Sequence, residues 1–375
     1  MSMQAETPRR RMLVICPFPQ GVAAGQRLKY EQYFDDWRAA GYDIEVSSYM
    51  DMAMWKIVYL PGNFIGKALG VLRGHMRRLR DLFRVARYDV VYVFMYVTPI
   101  GTTVMEKLVR GLARRMIVDM EDNVLTEQSM PAGAHPNAIV QYLKGSGKAR
   151  YLIGAADHVI TSSPFLNDFC LDINRARACT YISSSIDTDR FVPTGKPDDR
   201  QTVTVGWTGT FSSKIYLDIL APVFQELAKR VDYQLTVIGN FKYDLPGVKL
   251  KVIQWTKERE VEDLQTFDIG VYPLPVDDWV LGKSGLKAIQ YMCFGLPTVA
   301  TAVGTTPMII RSGENGILVR EPEEWLAALE QLIRDPGLRK RLGAQARKDA
   351  LANYSTHVIA AQYRHVLEQT WSSTR

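Results

Sequence analysis

Short apolar runs alternate with amphipathic stretches along the whole chain. Residues 12–16 and 44–46 have the composition of buried strands, and the stretch 26–37 between them has apolar residues at helical spacing. The same order of strand, loop and helix begins again at residue 203. Because this order is typical of parallel sheets covered by helices, the pattern predicts an α/β protein with two domains.

A polar, proline-containing segment, residues 193–201, separates the two halves and fits an interdomain linker. We therefore place the first domain at residues 1–195 and the second at residues 201–355. A chain of 375 residues is long enough for two domains that each bury a hydrophobic core.

Composition limits the class of protein. Hydrophobic residues make up 47% of the sequence and charged residues 23%, and no apolar run approaches the roughly 20 residues that span a bilayer. A polar N-terminus leads directly into the first strand, so we expect no signal peptide and a cytoplasmic location. The four cysteines have no C-x-x-C spacing and the five histidines form no H-E-x-x-H cluster. The sequence therefore indicates neither a disulfide framework nor a metal site.

The formal net charge is +6, and most of the excess lies in the first half, where residues 1–200 hold 26 Lys and Arg against 21 Asp and Glu. This distribution indicates an anionic surface or acceptor for that half, and no nucleic-acid-binding motif accompanies it.

Residues 67–87 form an amphipathic basic stretch. We interpret it as a crossover helix that packs on the sheet, and its basic face as a candidate for contact with anionic lipid. The apolar positions are Leu69, Leu72, Met76, Leu79 and Phe83, and the basic ones are Arg73, Arg77, Arg80, Arg84 and Arg87.

The loop after the first strand, residues 17–25, contains Gly21 and Gly25 and little side-chain bulk. Open α/β sheets bind ligands at the carboxyl ends of their strands, so this loop is a candidate binding loop. It lacks the G-x-G-x-x-G sequence that would favour a dinucleotide site.

Residues 273–301 hold the strongest functional signal. Lys283, Ser284 and Gly285 precede an apolar run with the spacing of a buried helix face, and Lys287 projects from nearly the same side. The first turn of a helix exposes backbone N–H groups and the positive end of its dipole, so the pattern favours a cradle for a phosphate or pyrophosphate. The alternative is a solvated helix start with two surface lysines, since no complete phosphate-loop sequence is present.

The segment GKSGLKAIQYMCFGLP, residues 282–297, leads into a short strand at 298–301. A buried helix followed by a G-x-P turn and a strand resembles the donor-site motif of retaining glycosyltransferases of the GT-B fold, especially family 4. In the common version of that motif two glutamates lie eight positions apart, and these positions fall on Gly282 and Gln290 here. The closer resemblance is to a subgroup with the pattern G-K-x-x-x-K-x-x-Q-Y-M-x-x-G-x-P.

The resemblance implies two Rossmann-like domains that face each other across a cleft, with a C-terminal helix, about 356–375, that crosses back to the first domain. It implies that the loop with Gly21 and Gly25 faces the acceptor, and that residues 119–122 correspond to a D-x-x-D element. Family 4 usually places an Arg just after the glycine of the second domain's first loop and a Lys some six positions after it. Here Thr210 takes the Arg position, and Lys214 comes five residues after Gly209.

The resemblance also implies roles for individual residues. We predict catalytic roles for Lys214, Lys287 and Asp122, and donor binding by Thr208, Gly209, Lys283, Ser284, Gly285 and Gln290.

These features predict a retaining glycosyltransferase that moves a sugar from a nucleotide diphosphate sugar to an acceptor hydroxyl, in the assembly of bacterial surface polysaccharide, lipopolysaccharide or glycolipid. Lysines would stabilise the leaving diphosphate without a metal, so we expect no cofactor besides the donor substrate. The expected acceptor is a glycan or a lipid-linked molecule, and the protein would contact anionic membrane peripherally. Two alternatives stay open: a sugar-nucleotide epimerase of the same fold, and an inactive nucleotide-sugar binding module, which the two missing carboxylates suggest.

Overall fold

The chain divides into two units, each built on its own parallel sheet. A computed structural model describes residues 9–100, 102–121, 146–195 and 202–372. The first unit extends to Ser183 and also includes the C-terminal segment from Ala360, and the second unit is Ser184–Ile359.

Apolar runs form the sheet of the first unit, as the sequence predicts. Its six parallel strands follow the order β2-β1-β3-β4-β5-β6, and Val14 on β1 aligns with Val46 on one side and with Tyr92 on the other. Residues of both faces are buried, as expected for a parallel sheet covered by helices. The strands are β1 Arg10–Cys16, β2 Tyr42–Ser48, β3 Val90–Phe94, β4 Met116–Met120, β5 His158–Thr161 and β6 Cys179–Tyr181.

Helices cover both faces of this sheet. Four of the five connections proceed in the same direction across the sheet: β2→β3, β3→β4, β4→β5 and β5→β6. Because crossovers between parallel strands are right-handed, the helices of these four connections lie on one face. The β1→β2 connection proceeds in the opposite direction, so its helix lies on the other face. The helices are α1 Ala24–Arg27, α2 Phe34–Ala39, α3 Met52–Val58, α4 Phe64–Leu82, α5 Val104–Leu112, α6 Ser146–Ala155 and α7 Pro164–Ile173. Helix α4 packs against α3 and α5, as expected for neighbours in one layer.

The second unit repeats the design with a different strand order, β12-β11-β10-β7-β8-β9. Numbered within the unit, this is the 3-2-1-4-5-6 order of the Rossmann fold. The strands are β7 Val203–Gly209, β8 Tyr233–Gly239, β9 Leu250–Gln254, β10 Ile269–Tyr272, β11 Thr298–Thr301 and β12 Gly316–Val319. The helices are α8 Lys214–Asp218, α9 Ala221–Ala228, α10 Glu260–Leu264, α11 Leu286–Cys293, α12 Thr306–Ile309, α13 Pro322–Arg334 and α14 Pro336–Asn353.

The last helix, α15 (Thr356–Ser372), joins the first unit from Ala360 onward. Its Tyr363 ring lies 4.7 Å from the Tyr33 ring and 5.7 Å from the Trp37 ring, and its Arg364 forms an ion pair with Asp36. Aromatic packing therefore attaches this helix to the face of the sheet that α2 covers.

Helix α4 is the predicted crossover between β2 and β3, but the face that packs is not the one with the large apolar side chains. Gly70, Gly74, Arg78 and Asp81 are its buried residues. Leu69, Leu72, Met76, Leu79 and Phe83 are exposed to solvent. None of the described helices combines the length and apolar composition needed to cross a bilayer.

We predict that protonation of His158 destabilises the first unit. Burial and the neighbouring His365 lower the pKa of His158 from its ordinary 6.5 to about 4. Because the folded state binds this proton more weakly than the unfolded state, the stabilisation is complete above pH 6.5 and is lost as the pH falls toward 4. We expect the free energy of unfolding to decrease by about 2–3 kcal/mol across this window, measured by denaturant titration.

The variant His158→Gln removes the titration and keeps a polar group near Thr180, whose hydroxyl lies 2.8 Å from the His158 ring. We expect a flatter pH dependence between 6.5 and 4 in this variant. An unchanged slope would show that other groups cause the acid sensitivity.

Candidate functional site

The strand order of the second unit places a topological switch point between β7 and β10. Strands β7 and β10 are neighbours, with Val205 opposite Ile269 and Gly206 opposite Gly270, yet their following connections leave in opposite directions. In open α/β sheets such a switch point leaves a ligand-sized crevice beyond the carboxyl ends of the strands. The predicted donor residues Thr208 and Gly209 end β7 at this edge.

Lys287 of α11 extends over both switch-point strands. Its Nζ lies 5.9 Å from the centroid of the Trp207 ring on β7 and 5.5 Å from that of the Tyr272 ring on β10. Both rings are buried, so the ammonium group stands beside an aromatic surface that favours a cation. The side chain therefore places a positive charge at the carboxyl ends of β7 and β10.

The segment before α11 is fixed by close packing. Gly285 is the N-cap residue with φ 73°, and a Cβ at this position would lie 2.2 Å from Cδ1 of Ile309. The Thr305 hydroxyl donates to the carbonyl oxygen of Lys283 at 2.9 Å. The left-handed φ of residue 285 favours glycine, and a Cβ there would displace the Ile309 side chain, so glycine suits this helix start.

Lys283 lies on the same side of the unit as α8. Its Nζ is 5.7 Å from the centroid of the Tyr216 ring and 6.0 Å from that of the Trp279 ring. Two lysines thus flank the start of α11, each next to aromatic rings.

Tyr291 fixes the end of β7. Its hydroxyl accepts a hydrogen bond from the backbone N–H of Thr208 at 3.0 Å, and burial raises its pKa. The ring packs on Gly270, where a Cβ would lie 2.4 Å away from it. A glycine on β10 therefore allows α11 to approach the sheet closely enough for this hydrogen bond.

The remaining predicted donor residues are placed as follows. Ser284 and Gln290 are buried, at 8% and 6% exposure. Gln290 lies on α11 one turn after Lys287, at the position where the common family motif has its second glutamate. Its amide can donate and accept hydrogen bonds but carries no charge.

Lys214 has different surroundings. It forms an ion pair with Asp218 at 2.7 Å, and its Nζ lies 5.3 Å from the centroid of the Tyr243 ring. These contacts do not join the group around Lys283, Lys287 and Thr208, so a donor role for Lys214 stays a prediction.

The predicted binding loop of the first unit is built by two polar side chains that the sequence analysis did not identify. The Gln26 amide donates to and accepts from the backbone of Phe18 and donates to Glu31 at 3.0 Å, and Glu31 accepts the N–H of Gly21 at 2.8 Å. A Cβ on Gly25 would lie 2.9 Å from Oε2 of Glu121. The glycine therefore allows the carboxylate at the end of β4 to lie against the loop.

Lys29 and Asp119 form a buried ion pair below this loop. Their charged atoms are 2.7 Å apart, Lys29 also donates to the carbonyl of Met120, and Tyr92 donates to Asp119. Burial raises the pKa of Asp119, whereas Lys29 and Tyr92 oppose the shift. Asp122, for which a catalytic role is predicted, lies outside the described residues. Nothing in the sequence distinguishes Lys29 from its neighbours, since Arg27 and Glu31 are charged residues of the same segment.

The described part of the chain contains no candidate metal site. In residues 9–100, 102–121, 146–195 and 202–372, no three His, Cys, Asp or Glu side chains lie close enough together to hold a metal ion.

Comparison with known proteins finds a family match within the second unit. Residues 202–335 match the family model named glycosyl transferases group 1. The match covers about a third of the chain and lies within the second unit. The chain is 44% identical over 64 residues to D-inositol 3-phosphate glycosyltransferase of Streptomyces bingchenggensis, which is 16% of this chain and 14% of that relative. The family match and this relative support a glycosyltransferase.

Solved structures share the architecture over nearly the whole chain. Sucrose-phosphate synthase from Thermosynechococcus elongatus superposes with a TM-score of 0.73 at 15% identity, covering 98% of this chain and all of that one. HepE from Anabaena, solved in complex with UDP-glucose, gives a TM-score of 0.64 at 14% identity over 96% of this chain and all of that one. At these identities the likeness shows the fold, and it confirms the predicted α/β class with two Rossmann-like units.

We predict that Tyr291→Phe destabilises the second unit, because the N–H of Thr208 loses its partner in a buried position. An unpaired buried donor costs about 1–3 kcal/mol, which denaturant unfolding can measure. Tyr233→Phe is the matched control. The Tyr233 hydroxyl is also buried and donates to the Phe224 carbonyl, with 2.8 Å between the two oxygens, but it takes no part in the switch point. Stability of Tyr291→Phe equal to that of the wild type would contradict the assigned hydrogen bond.

Proposed function

We propose that the protein is a retaining glycosyltransferase whose nucleotide diphosphate sugar donor binds at the switch point of the second unit. The observation that carries the proposal is the position of Lys287 above the carboxyl ends of β7 and β10. A diphosphate bound at this edge would meet that charge and the backbone N–H groups at the start of α11.

Several findings support a sugar nucleotide as the ligand. The family match spans the segment that contains Thr208, Lys283 and Lys287. Relatives with glycosyltransferase names match parts of the chain, and the HepE neighbour was solved with UDP-glucose. Buried rings of Trp207 and Tyr272 limit water near Lys287, which strengthens its interaction with an anion.

The proposed chemistry places negative charge on the departing diphosphate as the bond to the sugar breaks. Lys283, Lys287 and the N–H groups before α11 would stabilise that charge without reorganisation, because close packing around Gly285 fixes their backbone. The acceptor oxygen would bond to the sugar on the face that the diphosphate leaves, as the resemblance to retaining enzymes implies. The proton of the acceptor hydroxyl would pass to the departing diphosphate. Neither step requires a protein nucleophile or a metal.

The acceptor is proposed to bind the first unit at the loop that contains Gly21 and Gly25. The carboxylate of Glu121 lies against this loop and could accept a hydrogen bond from a hydroxyl group of the acceptor. A glycan or a lipid-linked molecule fits this proposal, and the pathway would be polysaccharide or glycolipid assembly on the cytoplasmic side of a membrane.

We predict that Lys287→Met weakens donor binding and turnover together. Methionine keeps the packing on Trp207 and Tyr272 but removes the charge-assisted contact, worth roughly 1.5–3 kcal/mol or a 10- to 150-fold change in affinity. A thermal-shift screen with UDP, GDP, dTDP and ADP sugars identifies the nucleotide, and calorimetry with that nucleoside diphosphate measures the change.

Lys229→Met is the matched control, because Lys229 is an exposed lysine of the same unit that pairs with Glu226. We expect it to bind the nucleotide like the wild type. A Lys287→Met protein that folds and keeps full affinity would refute the switch-point assignment. Product formed without any acceptor would instead indicate an epimerase, and binding without turnover across an acceptor panel would indicate an inactive module.

We further predict that activity survives EDTA, since lysines replace a cation in the proposed mechanism. The measurement is the initial rate with donor and acceptor before and after chelation. A rate that collapses with EDTA and returns with Mg²⁺ or Mn²⁺ would contradict the mechanism.

A further inference from the structure

Helix α4 carries a row of large apolar side chains on its outer face. These six residues, here called the apolar stripe, are Ile65, Leu69, Leu72, Met76, Leu79 and Phe83, and all are exposed. Exposure reaches 79% at Ile65 and 84% at Phe83. A contiguous row of this kind on a described surface is unusual for a protein face that meets only water.

The glycines of α4 force the stripe outward. A Cβ on Gly70 would lie 2.7 Å from the Met54 side chain, and one on Gly74 would lie 2.6 Å from the Tyr49 ring. Only the glycine face can approach α3 and Tyr49 this closely. The opposite face, which holds the stripe, is therefore directed away from the first unit.

A buried arginine fixes the same orientation. Arg78 donates to the carbonyls of Cys16 and Val97 and to Ser47, and pairs with Asp81 at 3.0 Å. Rotation of the helix to bury the stripe would break these bonds and leave a buried guanidinium unpaired, which would destabilise the folded state strongly. The outward position of the stripe is thus a fixed property of the fold.

Neighbouring helices also expose apolar side chains. Helix α5, which packs against α4, exposes Val104, Leu108 and Leu112 at successive turns. Helix α3, which packs against the glycine face of α4, is followed by exposed Tyr59 and Leu60. Exposed apolar side chains therefore also occur on the two helices that pack against α4.

The charge around the stripe is positive. Between residues 52 and 87 there are eight Lys and Arg and a single acid, the buried Asp81. Arg80 and Arg87 are exposed beside the stripe, and Arg73 and Arg77 are held at its flank by Asp51, at 2.8 Å and 2.7 Å. The surface thus combines apolar side chains with exposed guanidinium groups.

We propose that this face of the first unit inserts into the interface of an anionic lipid bilayer. The stripe alternates steps of four and three residues, the spacing of a coiled-coil seam, so a second copy of the chain is the competing partner. In such a pair Arg80 would flank the seam without any exposed acid on α4 to oppose it, whereas Arg73 already pairs with Asp51. Anionic headgroups supply the missing negative charge, and the acyl boundary accepts the apolar side chains.

The proposal goes beyond the proposed function and does not rest on it, because the stripe lies in the first unit and the switch point in the second. If the protein acts on a lipid-linked acceptor, this face would hold it at the surface where that acceptor lies.

The decisive experiment is co-sedimentation with vesicles of phosphatidylcholine containing phosphatidylglycerol. The stripe variant replaces Leu72, Met76 and Leu79 by Gln, and we expect at least a tenfold loss of binding, about 1.4 kcal/mol. The charge variant Arg80→Gln, Arg87→Gln should bind several-fold more weakly and lose the salt dependence of the wild type. The matched control replaces Phe165, Leu351 and Val358 by Gln, exposed apolar residues elsewhere on the chain, and should bind like the wild type.

Insertion is measured separately with Phe83→Trp. We expect its added fluorescence to be quenched by lipids brominated along the acyl chain, because residue 83 would lie below the headgroups. Absence of that quenching, or equal pelleting with pure phosphatidylcholine, overturns the proposal. The proposal is also overturned if the wild type forms a dimer in sedimentation equilibrium, the stripe variant does not, and the wild type fails to bind anionic vesicles. Thermal unfolding and nucleoside diphosphate binding of each variant should match the wild type, which separates this test from that of the donor site.

Discussion

The site in the second unit depends on how closely α11 approaches the sheet. Gly270 on β10 leaves room for the Tyr291 ring, and Gly285 leaves room for Ile309 at the start of the helix. With the helix at this depth, the Tyr291 hydroxyl meets the N–H of Thr208 and Lys287 stands above the ends of β7 and β10. A methyl group at residue 270 would push the helix outward, and both relationships would be lost together.

In the first unit, buried ion pairs hold the loops and α4 in position, whereas in the second unit close packing holds α11 in position. Arg78 joins α4 to the ends of β1 and β2 and to the segment after β3, and Lys29 joins the segment after α1 to β4. Buried ion pairs contribute little net stability, because desolvation offsets their attraction, but breaking one leaves a costly unpaired charge. Their effect here is to fix which conformation the loops and α4 adopt. The loops of this unit therefore keep one position because any other conformation would leave a buried charge unpaired.

The sequence predicts strands well and the use of helix faces poorly. A run such as residues 12–16 is apolar on both faces, a pattern with one structural interpretation in a parallel sheet. The amphipathic stretch 67–87 has two structural interpretations. Its periodicity shows that the two faces of the helix differ, but it does not show which face packs against the sheet. Three glycines at a spacing of four, Gly66, Gly70 and Gly74, were the missing signal. The contacts of Lys214 with Asp218 and Tyr243 likewise depend on side-chain geometry that a motif comparison does not contain.

Glycines determine the geometry of both proposed binding surfaces. On β10 and before α11, glycines bring a helix inward and thereby place a lysine where a diphosphate can bind. On α4, glycines bring one face inward and thereby direct the apolar stripe outward. In both cases a missing Cβ fixes the depth or the rotation of a helix and so decides which side chains can reach the proposed ligand. Conservative changes at these glycines should consequently be more disruptive than changes at many residues of the surfaces themselves.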